Sequence, residues 1–221
     1  MLIVIDGVDA SGKETQTKLI TKKLLEMGKR VKTISFPCYD KPWNTPVKMY
    51  LEGEFGKNAE AVSPYSASML FAVDRFASYM TEWRENYENG DVIICDRYVS
   101  SNMIHQASKI ADTDEKVKFL DWISDLEFDK NKLPRPEVTL FLDMPVEYGL
   151  KLMQERKNKI DGSDTKDIHE GNTEYLEKSY NNAVFVAEHF AWERIRCVKD
   201  GEIRTIEDIN DELMSKIESL F

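Results

Sequence analysis

Cysteine is scarce in this 221-residue chain: Cys38, Cys95 and Cys197 stand far apart, with no CxxC pair. An odd, scattered set argues against a disulfide framework, and a reducing cytoplasm is the compartment it predicts. Long apolar runs are missing too, none approaching the ~18 residues of a membrane span. Positive charge is in short supply, with 30 Lys and Arg against 40 Asp and Glu and a formal net charge of −10. A chain so acidic is a poor partner for a nucleic-acid backbone, although a few cations and backbone amides converging locally still bind a small anion. No internal repeat is found, and the strand pattern starts at residue 2, so no cleaved signal is expected. The length suits one domain, 1–221, large enough to bury a core without staples.

What is present is an alternation of strands and helices. Leu2 to Ile5 is a short continuous apolar run, the pattern of a strand buried on both faces. Lys13 to about Met27 reads as a helix with Ile20, Leu24 and Met27 on one face, ended by Gly28. Val31 to Phe36 is a second strand, Pro64 to about Glu88 a long helix, and "VIIC", Val92 to Cys95, a third strand. "VTLFL", Val138 to Leu142, is a fourth, introduced by Pro134 and Pro136. Ile195 to Val198 is a weaker fifth, and a closing helix runs from about Thr205 to Leu220. This order predicts an α/β fold, a five-stranded parallel sheet flanked by helices on both faces. The stretch 155–173, "ERKNKIDGSDTKDIHEGNT", is charged and lacks an apolar face. By composition it is a solvated loop, and a lid over a phosphate site has the same look.

Between the first strand and the first helix stands "DGVDASGKET", Asp6 to Thr15. Gly7, Gly12 and Lys13 match the phosphate-binding loop G-x-x-x-x-G-K-[ST], in the strand–loop–helix context the motif needs. Gly7, Val8, Asp9, Ala10, Ser11, Gly12, Lys13, Glu14 and Thr15 are therefore the candidate nucleotide cradle. Glycines let backbone N–H groups wrap a phosphate, the helix N-terminus adds its dipole, and Lys13 adds a point charge. A glycine turn that only caps a helix leaves Lys13 unexplained. The departure is Glu14, where the motif places a magnesium-ligating hydroxyl. Thr15, one position on, points about 100° away on a helix and reads as a packing hydroxyl rather than a metal ligand.

The third strand runs straight into "CDRYVSSNMIHQAS", Cys95 to Ser108. Asp96, at the strand's C-terminal end, can hold magnesium beside phosphates, and Arg97 can fork onto phosphate oxygens. Alone, the pair reads equally as a structural ion pair. The order of motifs, however, resembles the thymidylate kinase family. Its G-x-D-x-x-G-K is matched by Gly7, Asp9, Gly12 and Lys13, its F-P-x-Y by Phe36 to Tyr39, and its F-x-x-D-R by Phe71 to Arg75. D-R-Y-x-x-S-N is matched by Asp96 to Asn102, and L-P-x-P before a strand ending in Asp by "LPRP" and Asp143. From within the charged stretch to just past its end, D-x-x-E-x-x-x-x-[FY]-L-E is matched by Asp167, Glu170, Tyr175, Leu176 and Glu177. The resemblance spans nearly the whole chain in the right order.

The resemblance implies a P-loop nucleoside monophosphate kinase fold with a short mobile lid at about 155–173. It implies transfer of the γ-phosphoryl group of ATP to dTMP with Mg2+, giving dTDP and ADP for dTTP biosynthesis, and a homodimer. Lys13 would bridge the donor β and γ phosphates, Arg97 would lie between donor and acceptor, and Arg75 would reach the acceptor side. Phe71 would offer its ring to the pyrimidine, and Asn102 a donor and an acceptor for the base edge. Tyr39 and Asp9 would lie by the sugar, with Phe36, Ser101, His105 and His169 completing the acceptor site. Asp9, Asp96 and Glu170 are the metal candidates. The loop has no cation between Asp9 and Gly12, so the lid would supply one from Arg156, with Lys157 or Lys159 in support. No general base is assigned, because an acceptor phosphate is already an anion at neutral pH. His105 stands where a tyrosine is common and His169 where the position is often aromatic, so a related monophosphate kinase is the alternative. A nucleotide-binding regulator, with Glu14 repelling the triphosphate, is a third reading.

Overall fold

Strand β1, Leu2–Asp6, is buried at every position. Side chains alternate along a strand, so Leu2 and Val4 face one core while Ile3 and Ile5 face another. A strand apolar on both faces must be covered on both, which a parallel sheet between two helical layers achieves. The computed structural model describes residues 1–58, 60–153 and 173–221. After β1 come α1 (Lys13–Glu26), β2 (Val31–Ser35), α2 (Thr45–Leu51), α3 (Pro64–Ser78) and α4 (Arg84–Glu88). Then follow β3 (Val92–Asp96), α5 (Val99–His105), α6 (Thr113–Ser124), β4 (Val138–Asp143), α7 (Val146–Met153) and α8 (Thr173–His189). The chain continues with β5 (Glu193–Arg196), a small hairpin of β6 (Val198–Lys199) and β7 (Glu202–Ile203), and α9 (Ile206–Glu218).

The five main strands form one parallel sheet in the order β2-β3-β1-β4-β5, the architecture the sequence predicts. Below it, Leu2, Val4, Ile93 and Cys95 pack with Trp83, Phe119, Leu120 and Ile123. Above it, Ile3, Ile5, Ile94 and Leu140 meet Ile20 and Leu24 of α1 and Leu213 and Ile217 of α9. Each such aliphatic side chain, fully buried, contributes roughly 1.5–3 kcal/mol. Helix starts are set by side chains: Ser63 Oγ accepts from Ser66 N at 3.1 Å, and Thr205 Oγ1 from Asp208 N at 3.1 Å.

Several expectations shift. Met27 falls just past α1 and is exposed, so the inner face of that helix is Ile20 and Leu24 with Gln16 and Thr17. Thr15 is exposed as well, outside the buried face of α1. The helix from Pro64 is interrupted after Ser78 by a π turn, Tyr79–Trp83, which lets both Tyr79 and Trp83 reach the core before α4. The fifth strand lies two residues earlier than expected, because the chain beyond Arg196 turns into the hairpin. Helices α2, α5, α6, α7 and α8 are additions to the expected elements, and a second π turn, Asp125–Lys130, follows α6.

Candidate active site

Strands β1 and β3 are neighbours in register, Ile5 opposite Asp96. The loop after β1 and the Asp96-Arg97 pair therefore meet at the carboxyl edge of the sheet, where open α/β sheets bind ligands. Gly7 has φ +155°, and a Cβ there would lie 2.7 Å from Leu142 O and 2.8 Å from Ser11 Oγ. Only glycine fits. Gly12, at φ +90°, turns the chain into α1. The curl brings Lys13 back over the loop, where its Nζ donates to Val8 O at 2.7 Å, Gly7 O at 3.1 Å and Ser11 Oγ at 3.4 Å. Burial first, and the Arg97 charge second, lower the Lys13 pKa to about 7 against the opposing pull of Asp9, Asp96 and Asp6.

Arg97 adopts φ +68°, a left-handed conformation uncommon outside glycine, so this turn stores strain. Its Nη2 pairs with Asp9 Oδ1 at 2.5 Å. Its Nη1 reaches Ser101 Oγ at 3.4 Å and His105 Nε2 at 3.2 Å. With an arginine as donor, Nε2 is the unprotonated nitrogen of that imidazole. Asp6 is a residue the sequence reading passes over. It ends β1 fully buried, accepting from Gly7 N at 2.8 Å and from the hydroxyls of Ser100 and Ser101, so it fastens the loop to α5. Its position was the available signal, since it ends β1 as Asp96 ends β3. Three carboxylates, Asp6, Asp9 and Asp96, thus act on two cations, Lys13 and Arg97. Burial disfavours the Arg97 charge, but Asp9, then Asp6 and Asp96, outweigh it and raise its pKa.

The acceptor-side residues divide. Phe71 is half-buried, edge-on to the Tyr50 ring at 6.0 Å, with Tyr39 in the same cluster. Asn102 is buried, and its Nδ2 donates to Ser68 O of α3 at 3.2 Å. The His105 ring lies nearly parallel to Tyr175 at 6.3 Å, and the Tyr175 hydroxyl donates to His105 O at 3.2 Å. Phe36 and Arg75 sit deeper than the resemblance implies. Phe36 packs in the core, tilted against Tyr98 at 6.0 Å. Arg75 is 2 % exposed and ion-paired to Glu127. Glu14 turns from the loop to Lys18 Nζ, 2.9 Å away and one helical turn on, where it also complements the dipole of α1. Arg156, Lys157, Lys159, Asp167, His169 and Glu170 fall outside the described residues. Among the described residues no three His, Cys, Asp or Glu side chains are grouped to hold a metal. Magnesium needs less, since it keeps waters and takes one or two carboxylates beside substrate phosphates. Asp96 and Asp9, both acting on Lys13, fit that donor set.

The family sequence model for thymidylate kinase matches residues 5–196, most of the chain, from the end of β1 through all of β2, β3, β4 and β5. The chain belongs to the thymidylate kinase family. A probable thymidylate kinase of Methanococcus aeolicus is 30% identical over 223 aligned residues, covering 97% of this chain and 94% of that one. The thymidylate kinase of Mycobacterium tuberculosis is 29% identical over 180 residues, 81% of this chain and 82% of its own length. Among solved structures, a thymidylate kinase from Candida albicans matches with a TM-score of 0.69 at 24% identity, covering 99% of this chain and 91% of that one. That likeness speaks for the fold. No described helix of this thymidylate kinase family member is long and apolar enough to cross a membrane.

Proposed function

We propose that this chain transfers the γ-phosphoryl group of ATP to the phosphate of dTMP, giving dTDP and ADP in dTTP biosynthesis, in the cytoplasm and as a homodimer. The observation that carries this reading is the meeting of Lys13 and Arg97 at the carboxyl ends of β1 and β3, inside a chain of this family. Phosphoryl transfer is positioning and charge neutralisation, so cations converging on one shared phosphate are the chemistry required. Lys13 would exchange the carbonyls of Gly7 and Val8 for the β and γ phosphates, beside the backbone N–H groups that open α1. Arg97 would leave Asp9 for the bridging position, trading one carboxylate contact for bidentate phosphate contacts. Bound Mg2+ supplies further neutralisation of the β and γ phosphates, and Asp96 and Asp9, with Glu170, are the residues that would hold it. Arg156, with Lys157 or Lys159, would add a cation from the lid. No residue has to act as a general base.

On the acceptor side Phe71 would stack on the base, with Asn102, Tyr39, Ser101, His105 and His169 around the nucleoside. Phe36 and Arg75 would act from behind this layer. The homodimer reading is supported by Met69, Val73, Phe76 and Met80, which form an exposed apolar stripe along α3 and its π turn. A related monophosphate kinase is the second reading, favoured by one observation: His105, in the acceptor region, already accepts from Arg97 and lies against Tyr175. The test follows the label. With γ-labelled ATP, Mg2+ and dTMP, label is expected in dTDP; label only in inorganic phosphate would sink the reading.

A further inference from the structure

Glu127 is fully buried on the π turn Asp125–Lys130, outside every motif of the resemblance, and the reaction above does not use it. A carboxylate is left so deep only when it is paired. Its Oε1 takes two donors of one guanidinium, Arg75 Nε at 3.0 Å and Arg75 Nη2, while Oε2 has no hydrogen-bond partner among the described residues. Arg75 sends its third donor, Nη1, to Tyr98 O at 3.4 Å. That carbonyl belongs to the residue directly after Arg97, so Arg75 holds the exit of the left-handed turn. The Tyr98 hydroxyl donates to Pro134 O at 3.1 Å, which fastens the same turn to the segment leading into β4. One position before Arg75, Asp74 accepts from Cys38 N at 3.0 Å and ties α3 to the Phe36–Tyr39 loop. The π turn is what makes this possible: it rotates Glu127 inward while Asp125 and Asp129 stay at the surface, paired with Lys130 and Arg135.

We propose that Glu127 is a positioning residue for the acceptor side. It holds Arg75 in one orientation, and through Arg75 and Tyr98 it fixes the backbone turn that aims Arg97. The proposal rests on the dTMP kinase reading above. Stability alone is a weak reason for such a pair, because apolar side chains of similar volume commonly serve as well.

The test is Glu127→Gln, which keeps the shape and one acceptor but removes the charge, assayed in the full chain with dTMP and ATP varied separately. The expected result is a rise of about tenfold or more in the KM for dTMP, with kcat/KM for dTMP falling at least as far and the KM for ATP held within about twofold. Glu127→Asp keeps the charge and is expected to recover part of the loss, and it takes the place of Glu127→Gln if that variant does not fold. A purely structural role would lower the active fraction, cutting kcat while leaving both KM values at wild type. That outcome, or an unchanged kcat/KM for dTMP, overturns the proposal, and so does failure of both variants to fold. Wild-type protein that binds ATP but phosphorylates no dTMP would remove the functional reading itself, and this proposal with it.

Discussion

Binding of ATP should pull a proton onto Lys13. In the ligand-free chain burial holds this lysine near pKa 7, and its hydrogen bonds go to the carbonyls of Gly7 and Val8 rather than to an anion. At pH 8 only about a tenth of such a group is charged. Phosphates placed beside it favour the ammonium and move the pKa back toward 10.5, its ordinary value. Binding at pH 8 should therefore take up about 0.9 proton, and affinity should fall about fivefold between pH 7 and 8 and nearly tenfold per unit from there toward pH 10. Below pH 7 the dependence from Lys13 vanishes. The same shift has a stability signature. A lysine whose folded pKa lies below its unfolded one leaves the unfolded state holding more protons between about pH 7 and 10.5. Ligand-free stability should thus rise with pH across that window, by on the order of 5 kcal/mol at its limit. The assay is titration calorimetry of ATP at pH 8 in two buffers of different ionisation enthalpy, with Lys13→Met as the control. Equal enthalpies in both buffers, or the same proton uptake in Lys13→Met, would refute the reasoning.

Three further outcomes are expected. Lys13→Ala should fold and lose roughly 10²–10³ in turnover, measured by steady-state kinetics with a melting curve as the folding check. Gly7→Ala should be inactive and less stable, because its methyl group meets Leu142 O at 2.7 Å in a backbone conformation alanine avoids; wild-type melting and turnover would show that the loop relaxes freely. Glu14→Ser should leave kcat within about tenfold in a Mg2+ titration, since Glu14 is engaged with Lys18; a gain of several orders of magnitude would mean the natural loop is crippled there.

Much of this architecture was legible because the sheet is buried on both faces. Continuous apolar runs such as Leu2–Ile5 and Val92–Cys95 have few other destinations, and a glycine-rich loop between such a strand and a helix constrains the rest. The π turns were not legible, because a 3.6-residue period averages over one inserted residue. That insertion is what carries Trp83 and Glu127 inward. Motif matching placed Arg75 and Phe36 near the acceptor, but depth is set by partners far along the chain, Glu127 for one and Tyr98 for the other. Asp6 belongs to no part of the phosphate-loop pattern that begins at Gly7, although a carboxylate closing a buried strand has to be bonded to something. Glu14 shows the reverse case: a residue conspicuous against its motif turns out to serve the first turn of α1.

The central claim is that Lys13 and Arg97 serve phosphoryl transfer to a thymidine monophosphate. It is tested most directly by measuring kcat/KM with saturating MgATP across a panel of dTMP, dUMP, dCMP, dAMP, dGMP and UMP. The account predicts dTMP at the head of the series by at least about tenfold, the margin that contacts to the base and sugar edges commonly provide. Turnover with another monophosphate and none with dTMP would contradict it.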